Sequence, residues 1–94
     1  MNKFREETIN ELNEIYKKKN KDYGNSFDKM FEEFGVVSVA IRVADKSNRL
    51  NNLVKKDYVP AVTDESIEDT LKDLANYAIM ALTYIKINKK LKEE

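Results

Sequence analysis

The sequence predicts an all-α protein, a small helical bundle of three long helices plus one short helix, and three observations lead there. Only 2 glycines and 1 proline interrupt 94 residues. Charged residues make up 36% of the chain and hydrophobic residues 41%, the composition of amphipathic helices rather than of a β-sandwich or a disordered tail. The apolar residues also recur at spacings of three and four, the helical period. A chain of this length reads as one domain, residues 1–94. It buries only part of its surface by itself, so an oligomer is expected.

The first helix is expected over Phe4 to Lys19, where Phe4, Ile9, Leu12, Ile15 and Tyr16 alternate with Glu and Lys. The run Lys17 to Lys19 sits near its carboxyl end, where cations oppose the macrodipole, and Asn20 to Asn25 with Gly24 supplies the break. Ser26 then starts a short helix that carries Phe27, Met30, Phe31 and Phe34 as core residues and ends at Gly35, whose missing side chain permits a left-handed turn. A second long helix is expected from about Val36 to Lys56, with Val36, Val39, Ala40, Val43, Leu50, Leu53 and Val54 on its apolar side. Pro60 makes Asp57 to Thr63 a connecting loop. Thr63, Asp64 or Ser66 can cap the last helix, which runs to about Lys90 with Ile67, Leu71, Leu74, Ala78, Leu82 and Ile85 facing the core. Ala75, Ile79, Met80 and Ile87 widen that stripe, so this helix is either central or shared with a second subunit.

Composition also excludes function classes. With neither Cys nor His, the chain has no thiolate nucleophile, imidazole base, or usual zinc or haem ligand. Any metal must be a hard cation on carboxylates. Seventeen basic residues balance 17 acidic ones, which leaves no bulk field for holding a nucleic-acid duplex. No apolar run reaches the roughly 20 residues of a membrane span, and Met1 to Lys21 is too charged for a secretion signal. A cytoplasmic protein is expected.

Three polar clusters interrupt the helical pattern. In the first, Lys21, Asp22, Tyr23 and Gly24 form an expected loop: Lys21 can meet a phosphate and Tyr23 can stack on a base, or the segment is a helix stop with an anchoring tyrosine. In the second, Arg42, Lys46 and Arg49 lie four and three apart and share one helical stripe. Three cations so placed can hold a phosphate chain; alternatively, Asp45 and Arg49 make an ordinary i, i+4 pair. In the third, Asp69 and Asp73 stand one turn apart, followed by Asn76 and Tyr77. That set can hold magnesium, or the acids can serve the helix dipole, or Asp69 and Asp73 can pair with Lys46 and Arg49 across the helix interface. An amide at Asn76, amid Leu74, Ala75, Ala78 and Ile79, costs stability unless it finds partners.

The stretches KNKDYGNSF (Lys19 to Phe27), AIRVADKSNRLNNL (Ala40 to Leu53) and DESIEDTLKDLANYAIM (Asp64 to Met80) resemble the nucleotide-modification-associated domain of many bacteriophages, in its order and nearly its spacing. Through that family the chain is similar to the all-α nucleoside triphosphate pyrophosphatases, the MazG-like and dimeric dUTPase group. The resemblance implies a helical oligomer that holds a nucleotide between helices, in the pyrophosphatases through magnesium. In those enzymes one long helix carries Glu-Glu-x-x-Glu and the next Glu-x-x-Asp. Asp69-Thr-Leu-Lys-Asp73 resembles the second motif, with Thr70 at the glutamate position, whereas Arg42, Asp45, Lys46 and Arg49 stand where the first is expected. Cations among metal ligands repel the ions but neutralise phosphate directly.

The expected function is therefore a phage nucleotide-binding protein of the host bacterial cytoplasm that binds, and by conjecture sequesters, a phosphorylated nucleotide or nucleotide-derived immune signal without hydrolysing it. Its expected binding residues are Lys21, Tyr23, Arg42, Lys46, Arg49, Asp69, Asp73, Asn76 and Tyr77. No cofactor is required, and the partners are a small nucleotide and further copies of the chain, with no duplex nucleic acid and no membrane. The alternative is a magnesium-dependent nucleotide pyrophosphatase, or an accessory enzyme of nucleotide modification, with Asp69 and Asp73 as metal ligands.

Overall fold

A computed structural model describes residues 1–23, 26–55 and 67–93. Four helices make up the described chain, α1 (Asn2–Tyr23), α2 (Ser26–Phe34), α3 (Val36–Leu53) and α4 (Ile67–Glu93), with no strand among the described residues. They fall into two compact units, Met1–Gly35 and Val36–Glu94.

In the first unit, α1 packs on α2. Leu12 is the buried residue of α1, and Ile15 and Tyr16 are partly covered. The Arg5 amide donates to the Met1 carbonyl at 3.0 Å, and the Thr8 hydroxyl donates to the Phe4 carbonyl at 2.9 Å. The Lys17–Glu14 pair at 3.7 Å is open to water and so contributes little. Contrary to expectation, α1 does not stop at Lys19: Asn20 to Tyr23 continue it, and Lys21 is a basic residue of its last turn. Asn and Asp are weak helix formers rather than breakers, so nothing before Gly24 forces an end. Lys21, Asp22 and Tyr23 are thus helical and not part of a loop, while Gly24 and Asn25 lie outside the described residues.

The short helix agrees with the sequence reading at both ends. It starts at Ser26 with Asp28 in its first turn, where a carboxylate meets the positive pole. It ends where the Gly35 amide donates to the Phe31 carbonyl at 2.7 Å, with Gly35 at φ 65°, the left-handed cap that glycine adopts at least cost. Phe31 is buried and lies 6.3 Å, centroid to centroid, from Phe27. Phe34 is not core as expected but 59% exposed: its spacing keeps it on the stripe of Phe27 and Phe31, but it is the last residue of α2.

The second unit is the pair α3 and α4. The helix of α3 ends at Leu53, slightly before the expected Lys56, and the Val54 amide closes its last turn on the Leu50 carbonyl at 3.1 Å. Residues 56–66, which include the expected loop and the candidate caps Thr63, Asp64 and Ser66, lie outside the described residues. Glu68 and Asp69 occupy the first turn of α4, and Lys90 and Lys92 the last, so its charges oppose the helix dipole at both ends.

The face that α4 turns inward is not the expected one. Ile67, Leu71, Ala78, Leu82 and Ile85 are exposed, with Leu82 at 66%, and only Leu74 of the predicted stripe is partly covered. Thr70 and Asn76 are buried instead, and on α3 the buried residues are Ser38 and Val39. At about 3.6 residues per turn, the inward face of α4 is displaced by more than a third of a turn from the apolar stripe. Polar groups that bond each other across the helices compete with aliphatic burial for that position, and periodicity alone does not register this. Val36 and Val54 of α3 are likewise exposed rather than packed.

Candidate functional site

Of the two registers along α3, the one containing Arg42, Lys46 and Arg49 faces α4. Spacings of four and three keep these side chains on one stripe, the stripe that also carries the buried Ser38. Lys46 Nζ lies 3.0 Å from Asp73 Oδ2, and each side chain is only 19% exposed. One turn earlier, the Arg42 guanidinium carbon sits 5.9 Å from the centroid of the Tyr77 ring, within the range of a cation–π contact. Arg42 meets Tyr77 and Lys46 meets Asp73, so α3 advances as α4 recedes: the two helices are antiparallel.

Arg49 lies one turn beyond Lys46 and is half-buried, with its Nε shielded from solvent. Arg49 takes part in an interaction within the fold, as do Arg42, Asp69 and Asn76. Asn76 is 8% exposed, which fits the requirement that a buried amide find partners. Asp69, one turn before Asp73 on the same stripe, is exposed, as is Arg42.

The second unit by itself therefore brings together six of the nine predicted residues: Arg42, Lys46, Arg49, Asp73, Asn76 and Tyr77. Asp69 stands on the same stripe one turn before Asp73, at the exposed start of α4. Lys21 and Tyr23 belong to α1 in the first unit. Lys21 is exposed in the last turn, and the side chain of Tyr23 is outside what the structure describes. Two buried residues of the inner face, Ser38 and Thr70, went unrecognised as participants. Thr70 is 1% exposed and stands three residues before Asp73; Ser38 stands four before Arg42. That spacing from a charged neighbour was the available signal.

Chemically, this face is an interhelical seam with cations on one wall and an acid, an amide and a phenol ring on the other. The Lys46–Asp73 ion pair is compact enough to be exchanged for another anion: a phosphate oxygen can take the place of the Asp73 carboxylate on Lys46, and a guanidinium can add a forked pair of bonds. Among the described residues, no three acids converge as a metal-binding group.

A family model described as nucleotide modification associated domain 1 matches residues 19–87, from the last turns of α1 to Ile87 in α4. The chain belongs to that family. All nine candidate residues fall inside the span that defines its membership in the nucleotide modification associated domain 1 family. No curated protein and no solved structure matches the chain. Among the described residues, no helix is long and apolar enough to cross a membrane.

Proposed function

We propose that this member of the nucleotide modification associated domain 1 family binds a phosphorylated nucleotide, or a signal derived from one, on the seam between α3 and α4 and holds it without hydrolysis. The observation that carries the reading is the stripe of Arg42, Lys46 and Arg49 along α3, with Lys46 against Asp73 and Arg42 against Tyr77, beside the buried Asn76. Lys46 and the two guanidinium groups neutralise phosphate, Tyr77 offers a ring for a base to stack on, and Asn76 reads hydrogen-bonding edges. In the resting state Asp73 holds Lys46 in place, and an incoming phosphate displaces that carboxylate. Lys21 and Tyr23 are further candidates on α1. In a phage-infected bacterium, such a protein in the host cytoplasm would act as a sponge for a host defence nucleotide.

The magnesium-dependent pyrophosphatase reading, which follows the resemblance to MazG-like enzymes, has a donor set that fits poorly. Asp73 is bound to Lys46 at 3.0 Å, Asp69 is exposed, and the facing helix offers cations that repel a divalent ion. A different second reading has a specific observation in its favour: the Lys46–Asp73 pair is the geometry of a structural tie between helices, with no ligand needed.

Native mass spectrometry of protein purified from its host, followed by denaturation and analysis of the released molecule, tests the proposal. The expected result is a retained anionic nucleotide, recovered intact and bound equally well in EDTA. Turnover of that nucleotide by excess protein with magnesium would overturn it in favour of the enzyme. Failure of any nucleotide to bind would leave the pair as a structural tie.

A further inference from the structure

Two groups on which the nucleotide reading leans are already engaged, each by a group of the facing helix that resembles part of a nucleotide. On α3, Lys46 holds the carboxylate of Asp73 at 3.0 Å, an anion that presents oxygens as a phosphate would. On α4, the Tyr77 ring meets the flat guanidinium of Arg42, 5.9 Å from its centroid, where a planar base would stack. The two contacts stand four residues apart on each helix, about 6 Å along the axis. At 19% exposure each, the ammonium and the carboxylate have little water to turn to when their pair opens.

We propose that Asp73 is an internal competitor, an autoinhibitory carboxylate that an incoming phosphate must displace and that sets how much negative charge a ligand needs to enter the seam. The inference rests on the nucleotide reading of this site, and it gives Asp73 the opposite sign from a group that holds the ligand: the carboxylate weakens binding. Opening the pair strips Lys46 of its partner and costs the same for every anion. The displaced carboxylate stays on its helix and repels the ligand, while Arg42, Lys46 and Arg49 attract it, and both effects grow with the charge of the ligand. The three cations outnumber Asp73 and the exposed Asp69 on the facing stripe, so the net gain grows with charge against a fixed cost. The seam thereby admits the multiply charged phosphate chain of a nucleotide and turns away single charges such as chloride or acetate. Thr70, buried three residues before Asp73 on its side of α4, carries a hydroxyl that suits the carboxylate once it turns from Lys46.

Isothermal titration of inorganic tripolyphosphate and inorganic phosphate into the full chain, in EDTA at low salt, provides the test. Asp73→Asn removes the charge and keeps the shape, and it should bind tripolyphosphate at least about tenfold more tightly than the wild type, with a smaller gain for inorganic phosphate. Asp45→Asn removes an equal charge from an exposed position next to Lys46 in the chain and should change affinity by no more than about twofold. Asp73→Asn also leaves the covered ammonium of Lys46 uncompensated, so its melting temperature should fall without ligand and rise further than that of the wild type with tripolyphosphate. A residue that only ties the helices would lower the first and leave the affinity unchanged. In the wild type, NMR of the Asp73 carboxyl carbon reads the exchange without any substitution, and its signal should shift as tripolyphosphate saturates the site. An affinity unchanged or lowered by Asp73→Asn, an equal gain from Asp45→Asn, or tripolyphosphate bound with the Asp73 carboxyl signal unmoved would overturn the competitor role and leave the nucleotide reading standing. Failure of tripolyphosphate to bind either the wild type or Asp73→Asn would overturn both.

Discussion

Replacing Lys46 by methionine keeps the length of the side chain and removes its charge, so it probes the seam with little change in packing. At 3.0 Å and an effective dielectric of about 20, the attraction between the Lys46 ammonium and the Asp73 carboxylate is roughly 5 kcal/mol before desolvation. Both side chains are four-fifths covered, at 19% exposure each, and losing that much water offsets most of the attraction. Removing one partner leaves the other covered and uncompensated. Lys46→Met should therefore cost about 2 kcal/mol of folding stability, whereas Lys46→Met together with Asp73→Leu should lie within about 1 kcal/mol of the wild type. Urea unfolding followed by circular dichroism measures all four corners of the cycle. If Lys46→Met unfolds at the wild-type midpoint and the coupling is near zero, the pair is a solvent-facing contact, and the description of the seam fails with it.

Other substitutions separate packing from chemistry. Gly35→Ala should cost about 1 kcal/mol in thermal unfolding, because Gly35 sits at φ 65° while an added Cβ meets nothing within 4 Å, so the cost is purely that of the backbone conformation. Phe31→Ala removes the buried ring of α2 and should cost about 3 kcal/mol by the same measurement. Arg42→Ala should change stability by no more than about 1 kcal/mol, since its contact with Tyr77 is an exposed cation–π pair, yet it should weaken nucleotide binding measurably in calorimetry. Asp73→Asn should leave a nucleotide bound and unhydrolysed, as in the wild type; if it abolished a turnover that the wild type shows, the enzyme reading would take over.

Local signals in the sequence carried α2 and α3 well. Ser26, the aromatic spacing of Phe27 and Phe31, and Gly35 specify a short helix with a glycine cap without reference to anything distant. The facing of α4 was not legible in this way. Its apolar residues lie on several sides, so the face turned to α3 is selected by which polar groups find partners there, a property of two helices together. For the same reason the spacing of Arg42, Lys46 and Arg49 showed that they share a stripe, but left a solvated face and a buried seam as equal alternatives until Lys46 was seen against Asp73. Continuation of α1 through Tyr23 was misjudged because a cluster of Asn, Asp and Lys reads as a turn, while helix propagation tolerates each of them.

The central claim is that the cations along the α4-facing stripe of α3 receive the phosphates of a nucleotide without a divalent ion. Isothermal titration of a nucleotide panel into wild-type protein and into Lys46→Met, each in EDTA, tests it most directly. The account predicts that at least one phosphorylated nucleotide binds the wild type in EDTA and that Lys46→Met loses about 100-fold in affinity, equivalent to about 2.7 kcal/mol. Equal affinity of the two proteins, or binding that vanishes in EDTA and returns with magnesium, would contradict it.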